Sequence, residues 1–373
     1  MEKYSRWRDA GTGIQPFLPP VPPRSETTVL SVGTNVIRLL VGPALAIVRV
    51  AVVFVLLGLY VLFISGIGGI LSIAPPLQRT WNAVWMKILA RMALFVIGFY
   101  IIHSENVSVR RGRGHSAGNQ KQVSVSVGSG DVIIVNSSSY IDILYLTFQF
   151  SPLFTQIDAT TNQVRFITAQ EAIAQCGKYP ELSVDAKTYS LKEASKLAKK
   201  QGLGPIVVFP EGTTSNGRAL LKFIPLFKDF SLPEKEVKIH ILALKYEYNH
   251  FSPTYTVGNK AVHFLKLCCQ VSNTLLVKWL APNESPSSPN FSIANMISTS
   301  PTAAPTAAIP NAATDAVAND GDSVGAQLLT LLGGIARLRK TSLGIRDKIE
   351  FLDYYFQRTG GVKPNVKKTK KNK

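Results

Sequence analysis

The sequence contains few cysteines, and this shortage excludes a disulfide-stabilised fold. Cysteine occurs three times in 373 residues, as Cys176, Cys268 and Cys269. Three cysteines, two of them adjacent, cannot form a disulfide framework, so a reducing, cytosol-facing environment is predicted. No group of cysteine, histidine or carboxylate residues has the spacing of metal ligands, so no metal site is predicted.

Acidic residues are also scarce. The chain has 23 Asp and Glu against 41 Lys and Arg, which gives a formal net charge of +18. Such an excess indicates an anionic partner, either nucleic acid or a membrane surface. The basic residues flank apolar segments instead of lining one aromatic-rich face, so a membrane is predicted and nucleic acid is not.

Charge is missing altogether from Val50 to Gln78, a run of 29 residues. That length exceeds the ~20 apolar residues that a helix needs to cross a bilayer. A shorter apolar run, Leu39 to Val48, precedes it, and Arg49 between the two runs would have to snorkel or pair. Because basic residues flank both sides, a hairpin that enters and leaves from the cytosol is favoured over a single oriented span. We predict that residues 29–103 are embedded in a membrane as a hairpin or as helices, with Met92 to Ile102 as an interfacial helix or as core for the domain after it.

The remainder of the chain divides by composition into five further parts. They are an irregular N-terminal tail (1–28), a domain that begins with a polar connector (104–281), a disordered linker (282–323), C-terminal helices (324–358) and a basic tail (359–373). Within 104–281 the pattern alternates: strands at 131–136, 164–168, 205–209 and 239–248, with helices at 140–150 and 189–202. This alternation predicts an α/β sheet with helices on its faces.

The stretch FPEGTTSNG (209–217) is the most informative part of this domain. Pro210 ends a short β-branched strand, Glu211 follows at the mouth of the strand, and Gly212 and Gly217 relax the backbone there. Small hydrogen-bonding residues complete it: Thr213, Thr214, Ser215 and Asn216. Open α/β sheets place their sites at the carboxyl ends of strands, so a functional site is predicted here.

Together with VIIVNSSSYIDILYL (132–146), this stretch resembles the glycerophospholipid acyltransferase family. The first family motif, N-H-x-S-x-x-D, is matched by Asn136, Ser139 and Asp142, and the motif FPEGT is matched by residues 209–213. ALKY (243–246) resembles the fourth motif, and VRFIT (164–168) is a candidate for the second. The resemblance covers roughly residues 130–250. It implies an α/β acyltransferase that uses acyl-CoA as co-substrate and needs no other cofactor.

The chain departs from the family at one position, because Ser137 stands where the family has its histidine. That histidine takes the proton of the acceptor hydroxyl, the aspartate orients it, and the hydroxyl attacks the acyl-CoA thioester. Serine cannot act as this base because the pKa of its hydroxyl is far too high. The candidates that replace it are Asp142 itself, His115, His240, or a phosphate group on the acceptor.

The resemblance implies roles for two sets of residues. The catalytic positions are Asp142, Ser137, Asn136 and Glu211, where Glu211 either binds the acceptor or holds the loop of the site. The substrate-binding positions are Ser139, Phe209, Pro210, Gly212, Thr213, Thr214, Asn216, Gly217 and Arg218. Arg218 and Lys222, four residues apart, are either anion contacts or part of a solvated helix face.

Three short stretches of the sequence bear on the expected acceptor and on the expected location of the enzyme. Residues 1–19 resemble the start of the fungal lysophosphatidic acid acyltransferases of the endoplasmic reticulum and lipid droplets, whereas TTSNG resembles the lysophosphatidylcholine and lysophosphatidylethanolamine acyltransferases. KKNK at 370–373 resembles an endoplasmic-reticulum retrieval signal, with a simple basic tail as the alternative. We expect a membrane-bound enzyme that converts lysophosphatidic acid to phosphatidic acid, with its domain facing the cytosol. The alternatives are remodelling of the other two lysolipids, or a catalytically inactive lipid-binding relative.

Overall fold

The computed structural model describes residues 3–22, 29–109, 126–289, 291 and 321–359, with side chains from residue 40 onward in the first helix. The helices are Val29–Tyr60 (α1), Gly68–Ile70 (α2), Pro75–Ile97 (α3), Tyr140–Phe150 (α4), Ala169–Gln175 (α5), Leu191–Gln201 (α6), Lys260–Cys268 (α7), Ser323–Ala336 (α8) and Ile345–Thr359 (α9). His115 and most of the predicted linker and basic tail lie outside the described residues.

Seven strands form one mixed sheet in the order β1-β8-β7-β2-β5-β3-β4, and two short strands, β6 and β9, form a second. Their bounds are Ile102–Val107 (β1), Val132–Val135 (β2), Leu153–Asp158 (β3), Gln163–Ile167 (β4), Ile206–Val208 (β5), Ala219–Leu220 (β6), Ile239–Glu247 (β7), Thr274–Leu280 (β8) and Arg339–Lys340 (β9). The four central strands, β7, β2, β5 and β3, are parallel. The predicted α/β class is therefore confirmed.

Strand β2 is apolar at every position because both of its faces are covered. Val132 and Ile134 belong to a core beneath α6 and α8, and Ile133 and Val135 belong to a core beneath α3 and α4. A continuous apolar run of this kind is typical of a parallel strand with helices on both sides. The structure thus has three layers, and α8 completes one of its cores.

The local signals for helix ends are confirmed at α6. Ser190 caps its first turn and forms a reciprocal capping box with Glu193, and Gly202 ends it in the left-handed conformation. The boundary predicted at residue 104 differs from the structure. Ile102–Val107 is an edge strand that pairs with β8, so the polar connector begins after this strand.

Two apolar helical segments, Leu40–Ile73 and Pro75–Ile97, are long and apolar enough to cross a membrane. The second of them includes the stretch that begins at Met92, which the sequence predicts as a separate piece. Its end belongs to the domain, since Leu94 and Ile97 are buried in the core beneath α4. This outcome matches the alternative in which the stretch supplies core.

Arg49 interrupts the apolar surface of α1 because it attaches this helix to the domain. Its guanidinium is buried and donates to the backbone oxygens of Cys268, Gln270 and Val271 and to the hydroxyl of Tyr100. The first three groups lie at and just beyond the C-terminal end of α7, where carbonyls have no partner within the helix. Arg49 therefore pairs instead of snorkelling.

The two ends of the described chain pack against each other. The N-terminal segment, residues 3–22, has only a 3₁₀ turn of regular structure, yet Trp7 and Phe17 are buried against Phe351 of α9. Lys348 lies fully buried beneath Phe17 and donates to the backbone oxygen of Thr256 at 3.0 Å. The stretch predicted as a tail is thus a strap over the domain.

We predict that Arg49→Met weakens the attachment of α1. The substitution keeps an apolar stem but leaves three carbonyl oxygens without their donor, at a cost of about 1–3 kcal/mol for a buried unsatisfied group. Thermal unfolding of the detergent-solubilised chain should show a lower midpoint than the parent. Arg79→Met is the matched control, since Arg79 is exposed and donates to one carbonyl, that of Gln201. Equal midpoints for the two variants would contradict the role given to Arg49.

Candidate active site

The two sequence motifs meet at one edge of the sheet. Strand β2 lies between β5 and β7, and all three run in the same direction. The residues that follow β2 and β5 therefore leave the sheet side by side. A cavity of about 370 Å³ opens there, and six of the predicted site residues line it: Ser137, Ser139, Phe209, Gly212, Thr213 and Thr214.

Glu211 joins the two motifs from beneath. It is fully buried, and its two oxygens accept from the backbone N–H of Ser137 at 3.2 Å and of Leu221 at 3.1 Å. Burial raises the pKa of the Glu211 carboxyl to about 8, against the opposing effect of the two N–H donors. Of the two roles implied by the resemblance, the geometry supports the one in which Glu211 holds the loop.

Asp142 performs a similar task within the first motif. One oxygen accepts from the N–H of Ser138 and of Ser139, both at 2.8 Å, and the other accepts from the hydroxyl of Tyr246. Burial raises the pKa of this carboxyl to about 6, and these hydrogen bonds oppose the rise. Because Asp142 is fully buried beneath the loop, it shapes the wall of the cavity without facing it.

Asn136 extends the pairing of β2 with β7. Its side-chain amide donates to the oxygen of Leu244 at 3.0 Å and accepts from the N–H of the same residue at 2.8 Å. Both the N–H and the oxygen of this amide are thus hydrogen-bonded to β7. Asn136 determines where β2 ends and the loop with Ser137 begins.

Among the residues that the structure describes, no histidine lines the cavity. His240 lies at the start of β7 opposite Ile133, and its Nε2 is 3.2 Å from the carboxylate of Asp131. Four residues of strand, ~13 Å, separate Ile133 from the level of Ser137. This position contradicts the suggestion that His240 replaces the missing base.

The end of the FPEGTTSNG stretch contacts the N-terminal strap. The amide of Asn216 donates to the oxygens of Gln15 at 2.8 Å and Leu18 at 3.0 Å, and Arg218 donates to Val21 at 2.8 Å. Arg218 and Lys222 do not share a helix face, because Ala219–Leu220 between them is strand β6. That part of the prediction is wrong, since the local charge spacing carried no information about the strand.

Arg165 belongs to VRFIT, the candidate for the second motif, but the sequence pattern assigns this arginine no role. Arg165 lies on β4 and lines the cavity, where its Nε is buried without a hydrogen-bond partner among the described residues. Within the same part of the chain, the buried hydroxyl of Thr214 on this cavity also lacks a partner. A buried donor without a partner is costly, so these two groups are suited to receive an anionic oxygen from a ligand.

The exposed rim of the cavity carries charges of both signs. Lys178 supplies a cation, and Glu171 and Glu181 supply carboxylates. Glu171 also accepts from Thr168 at the start of α5, and Glu181 accepts from Gln156. The sequence signal that could have revealed this rim is the capping box at the start of the short helix α5.

Gly212 forms the turn that closes the inner end of the cavity. Its φ is +65°, and a Cβ at this position would lie 2.5 Å from Cδ1 of Ile224 and 3.1 Å from Cδ1 of Ile345. Glycine is required here both for the left-handed backbone and for the close approach of the two isoleucines. Phe209, just before the turn, stacks on Phe154, and the oxygen of Pro210 accepts from the N–H of Ile224 at 2.9 Å.

We predict that Gly212→Ala destabilises the fold by more than the ~1–2 kcal/mol expected for a left-handed alanine. The additional loss comes from displacement of Ile224 and Ile345. Thermal or denaturant unfolding should be compared with Gly202→Ala, because Gly202 has a φ of +63° but no atom of the described residues within 4 Å of an added Cβ. Equal losses in the two variants would mean that crowding around Gly212 contributes nothing.

Comparison with known proteins is consistent with this geometry. No protein-family model matches the chain. It is 34% identical over 230 residues to the "Putative lysophosphatidic acid:oleoyl-CoA acyltransferase" of Schizosaccharomyces pombe, covering 61% of this chain and 68% of that protein. It is 30% identical over 210 residues to the lysophospholipid acyltransferase LPEAT1 of Arabidopsis thaliana, covering 51% of this chain and 50% of that protein.

Among solved structures, the crystal structure of the 1-acyl-sn-glycerophosphate (LPA) acyltransferase PlsC from Thermotoga maritima is 14% identical. It aligns with 67% of this chain and 87% of that chain with a TM-score of 0.36, a value that carries no conclusion. The chain shares with the family its similarity to the S. pombe protein and the two motifs that meet at the cavity. On these grounds the chain belongs to the glycerophospholipid acyltransferase family.

Proposed function

We propose that this protein transfers a fatty acyl group from acyl-CoA to lysophosphatidic acid and so forms phosphatidic acid. The observation that carries the proposal is the joining of the Ser137 loop and the FPEGT turn by Glu211 beside one cavity. The printed name of the S. pombe relative supports this acceptor and this acyl donor. In the reaction, the acceptor hydroxyl attacks the thioester carbonyl, the C–S bond breaks, and coenzyme A leaves and takes up a proton.

The polar groups of the cavity suit a phosphate-bearing acceptor. The guanidinium of Arg165 offers a positive charge, and both its Nε and the hydroxyl of Thr214 are unpaired within the part of the chain that the structure describes. Lys178 adds a second positive charge at the rim. Charge-assisted hydrogen bonds from such groups would hold the phosphate and position the hydroxyl beside it.

The preference for a phosphate monoester follows from the missing histidine. A positioned general base contributes about 10²–10⁴-fold to a rate. A phosphate monoester has a second pKa near 6, so at neutral pH its dianion can accept a proton. In lysophosphatidic acid this phosphate is close to the reacting hydroxyl, so the acceptor can bring its own base to the cavity.

A second candidate acceptor is a lysophospholipid with a phosphodiester head group, such as lysophosphatidylcholine or lysophosphatidylethanolamine. The similarity to the lysophospholipid acyltransferase LPEAT1 favours it. A diester has no second ionisation near neutrality, so such an acceptor would require a base supplied by the protein. The exposed carboxylates of Glu171 and Glu181 are the groups at the cavity that could serve.

We also propose that the protein is bound to the endoplasmic reticulum and lipid droplets with its domain in the cytosol. Many large apolar side chains of the two apolar helical segments, Leu40–Ile73 and Pro75–Ile97, are exposed. Among them are Ile47, Phe54, Val61, Ile73 and Phe95. An exposed apolar area of this kind indicates contact with lipid. Both substrates are amphiphilic, so attachment at the membrane brings the cavity to where they accumulate.

We predict acyl transfer from oleoyl-CoA to lysophosphatidic acid by the purified chain, with at least a tenfold preference over the two diester lysolipids.

Glu211→Ala should reduce kcat by about 10²-fold or more, because the loop with Ser137 and the FPEGT turn lose their common anchor. Glu193→Ala is the matched control, since it removes a carboxylate that caps α6 away from the cavity. If the parent transfers no acyl group to any acceptor, the chain is an inactive lipid-binding relative and the proposal fails.

We further predict that Ser137→Ala retains kcat within about threefold, since the serine hydroxyl is not the base.

A second experiment tests whether the phosphate of the acceptor serves as the base. It compares lysophosphatidic acid with its phosphate methyl ester. The ester keeps one negative charge but loses the second ionisation, so kcat should fall by about 10²-fold or more. A change confined to KM would show that the phosphate only binds, and the base would then have to come from the protein.

A further inference from the structure

A second cavity lies behind the FPEGT turn, separated from the first by two side chains. It has a volume of about 430 Å³. Ile224 and Ile345 line it, and these are the same side chains that press against Gly212 from behind. Gly212 lines the first cavity, so one turn and two isoleucines separate the two spaces.

The second cavity is strongly basic. Of the residues that the structure describes, three basic ones, Lys222, Lys228 and Arg346, line it, against a single acidic one, Asp347. The carboxylate of Asp347 accepts from the N–H of Gly344 at 2.7 Å, so it already serves the start of α9. Three cations around one acid in a concave space are suited to a ligand with more than one negative charge.

The backbone that carries these cations is held on both sides. Lys222 donates its N–H to the oxygen of Leu343 at 2.9 Å, and β6 just before it pairs with β9. Because β9 leads into α9, this pairing sets the position of Arg346 relative to Lys222. A site on backbone held in this way loses little conformational entropy when a ligand binds.

The two cavities also share one wall. The hairpin of β3 and β4 contributes Ile157 and Arg165 to the first cavity and Ala159 and Asn162 to the second. A long ligand could therefore lie along this hairpin with one end in each space. A short ligand could occupy only one of them.

We infer that the second cavity binds the phosphate-bearing nucleotide end of acyl-CoA while its thioester lies at the first cavity. The inference rests on the proposed function, because it takes acyl-CoA as the donor. Acyl-CoA is a long molecule whose phosphates are remote from the reacting carbonyl. A ligand that places its phosphates in one cavity and its reacting carbonyl in the other must have this shape. In a lysolipid acceptor the phosphate is close to the reacting hydroxyl, so it belongs in the first cavity together with that hydroxyl.

The test measures binding of adenosine 3′,5′-bisphosphate to the full chain in detergent by titration calorimetry. The variant is Lys228→Gln combined with Arg346→Gln, both exposed residues whose replacement leaves the packing intact. The dissociation constant should rise about tenfold or more, as expected when charged hydrogen-bonding groups are removed. The matched control is Lys235→Gln, an exposed lysine that does not line the cavity and should leave binding unchanged.

Unchanged binding in the double variant, or no binding by the parent, would overturn the inference. A second arm uses glycerol 3-phosphate, which stands for the head group of the acceptor. If the double variant loses this ligand and keeps the bisphosphate, the cavity holds the acceptor phosphate, and the inference is again overturned.

Kinetics separate the two proposals. In the double variant KM for oleoyl-CoA should rise about tenfold while kcat and KM for lysophosphatidic acid stay within twofold. An unchanged KM for oleoyl-CoA would remove the second cavity from the reaction and leave the acyltransferase proposal standing. A third outcome is possible: the parent binds the bisphosphate but transfers no acyl group, and the double variant loses this binding. That result would support the second cavity as the binding site and reject the proposed function.

Discussion

Two buried carboxyl groups hold the loops that leave the carboxyl edge of the sheet. Glu211, itself part of the FPEGT motif, accepts from the backbone N–H of Ser137 in the first motif and of Leu221 just after β6. Asp142 accepts from two N–H groups of the Ser137–Ser139 loop and from the hydroxyl of Tyr246. Backbone donors buried beneath a loop must be satisfied, and a carboxylate can accept several at once. The shape of the cavity therefore depends on two acids that do not face it.

This arrangement changes how the first motif is understood in this chain. With serine at position 137, Asp142 has no imidazole to orient, yet both of its oxygens are occupied. The aspartate thus has a structural role that is independent of the histidine. The Ser137–Ser139 loop therefore stays intact although the histidine base is missing. The proton of the acceptor hydroxyl must then be taken up by a group that enters or lines the cavity.

The site is also tied to parts of the chain that are distant in sequence. Asn216 and Arg218 bind the oxygens of Gln15, Leu18 and Val21, so the FPEGTTSNG stretch and the N-terminal strap fix each other. Elsewhere in the domain, Arg49 attaches α1 to the end of α7. The strap, the apolar helices and α9 therefore form one unit with the sheet, so changes at the termini reach the loops of the site.

The sequence by itself determined the α/β class, the apolar helical segments, the caps of α6 and the two motifs. These features depend on hydrophobic periodicity, side-chain caps and short residue patterns, all of which act over a few residues. Only the tertiary structure decided the roles within the motifs. Asn136 pairs with Leu244, Asn216 holds the strap, His240 lies at the wrong end of β7, and Arg165 reaches the cavity from an edge hairpin. These outcomes depend on the order and direction of strands far apart in the chain, and the local pattern of residues contains no information about that order.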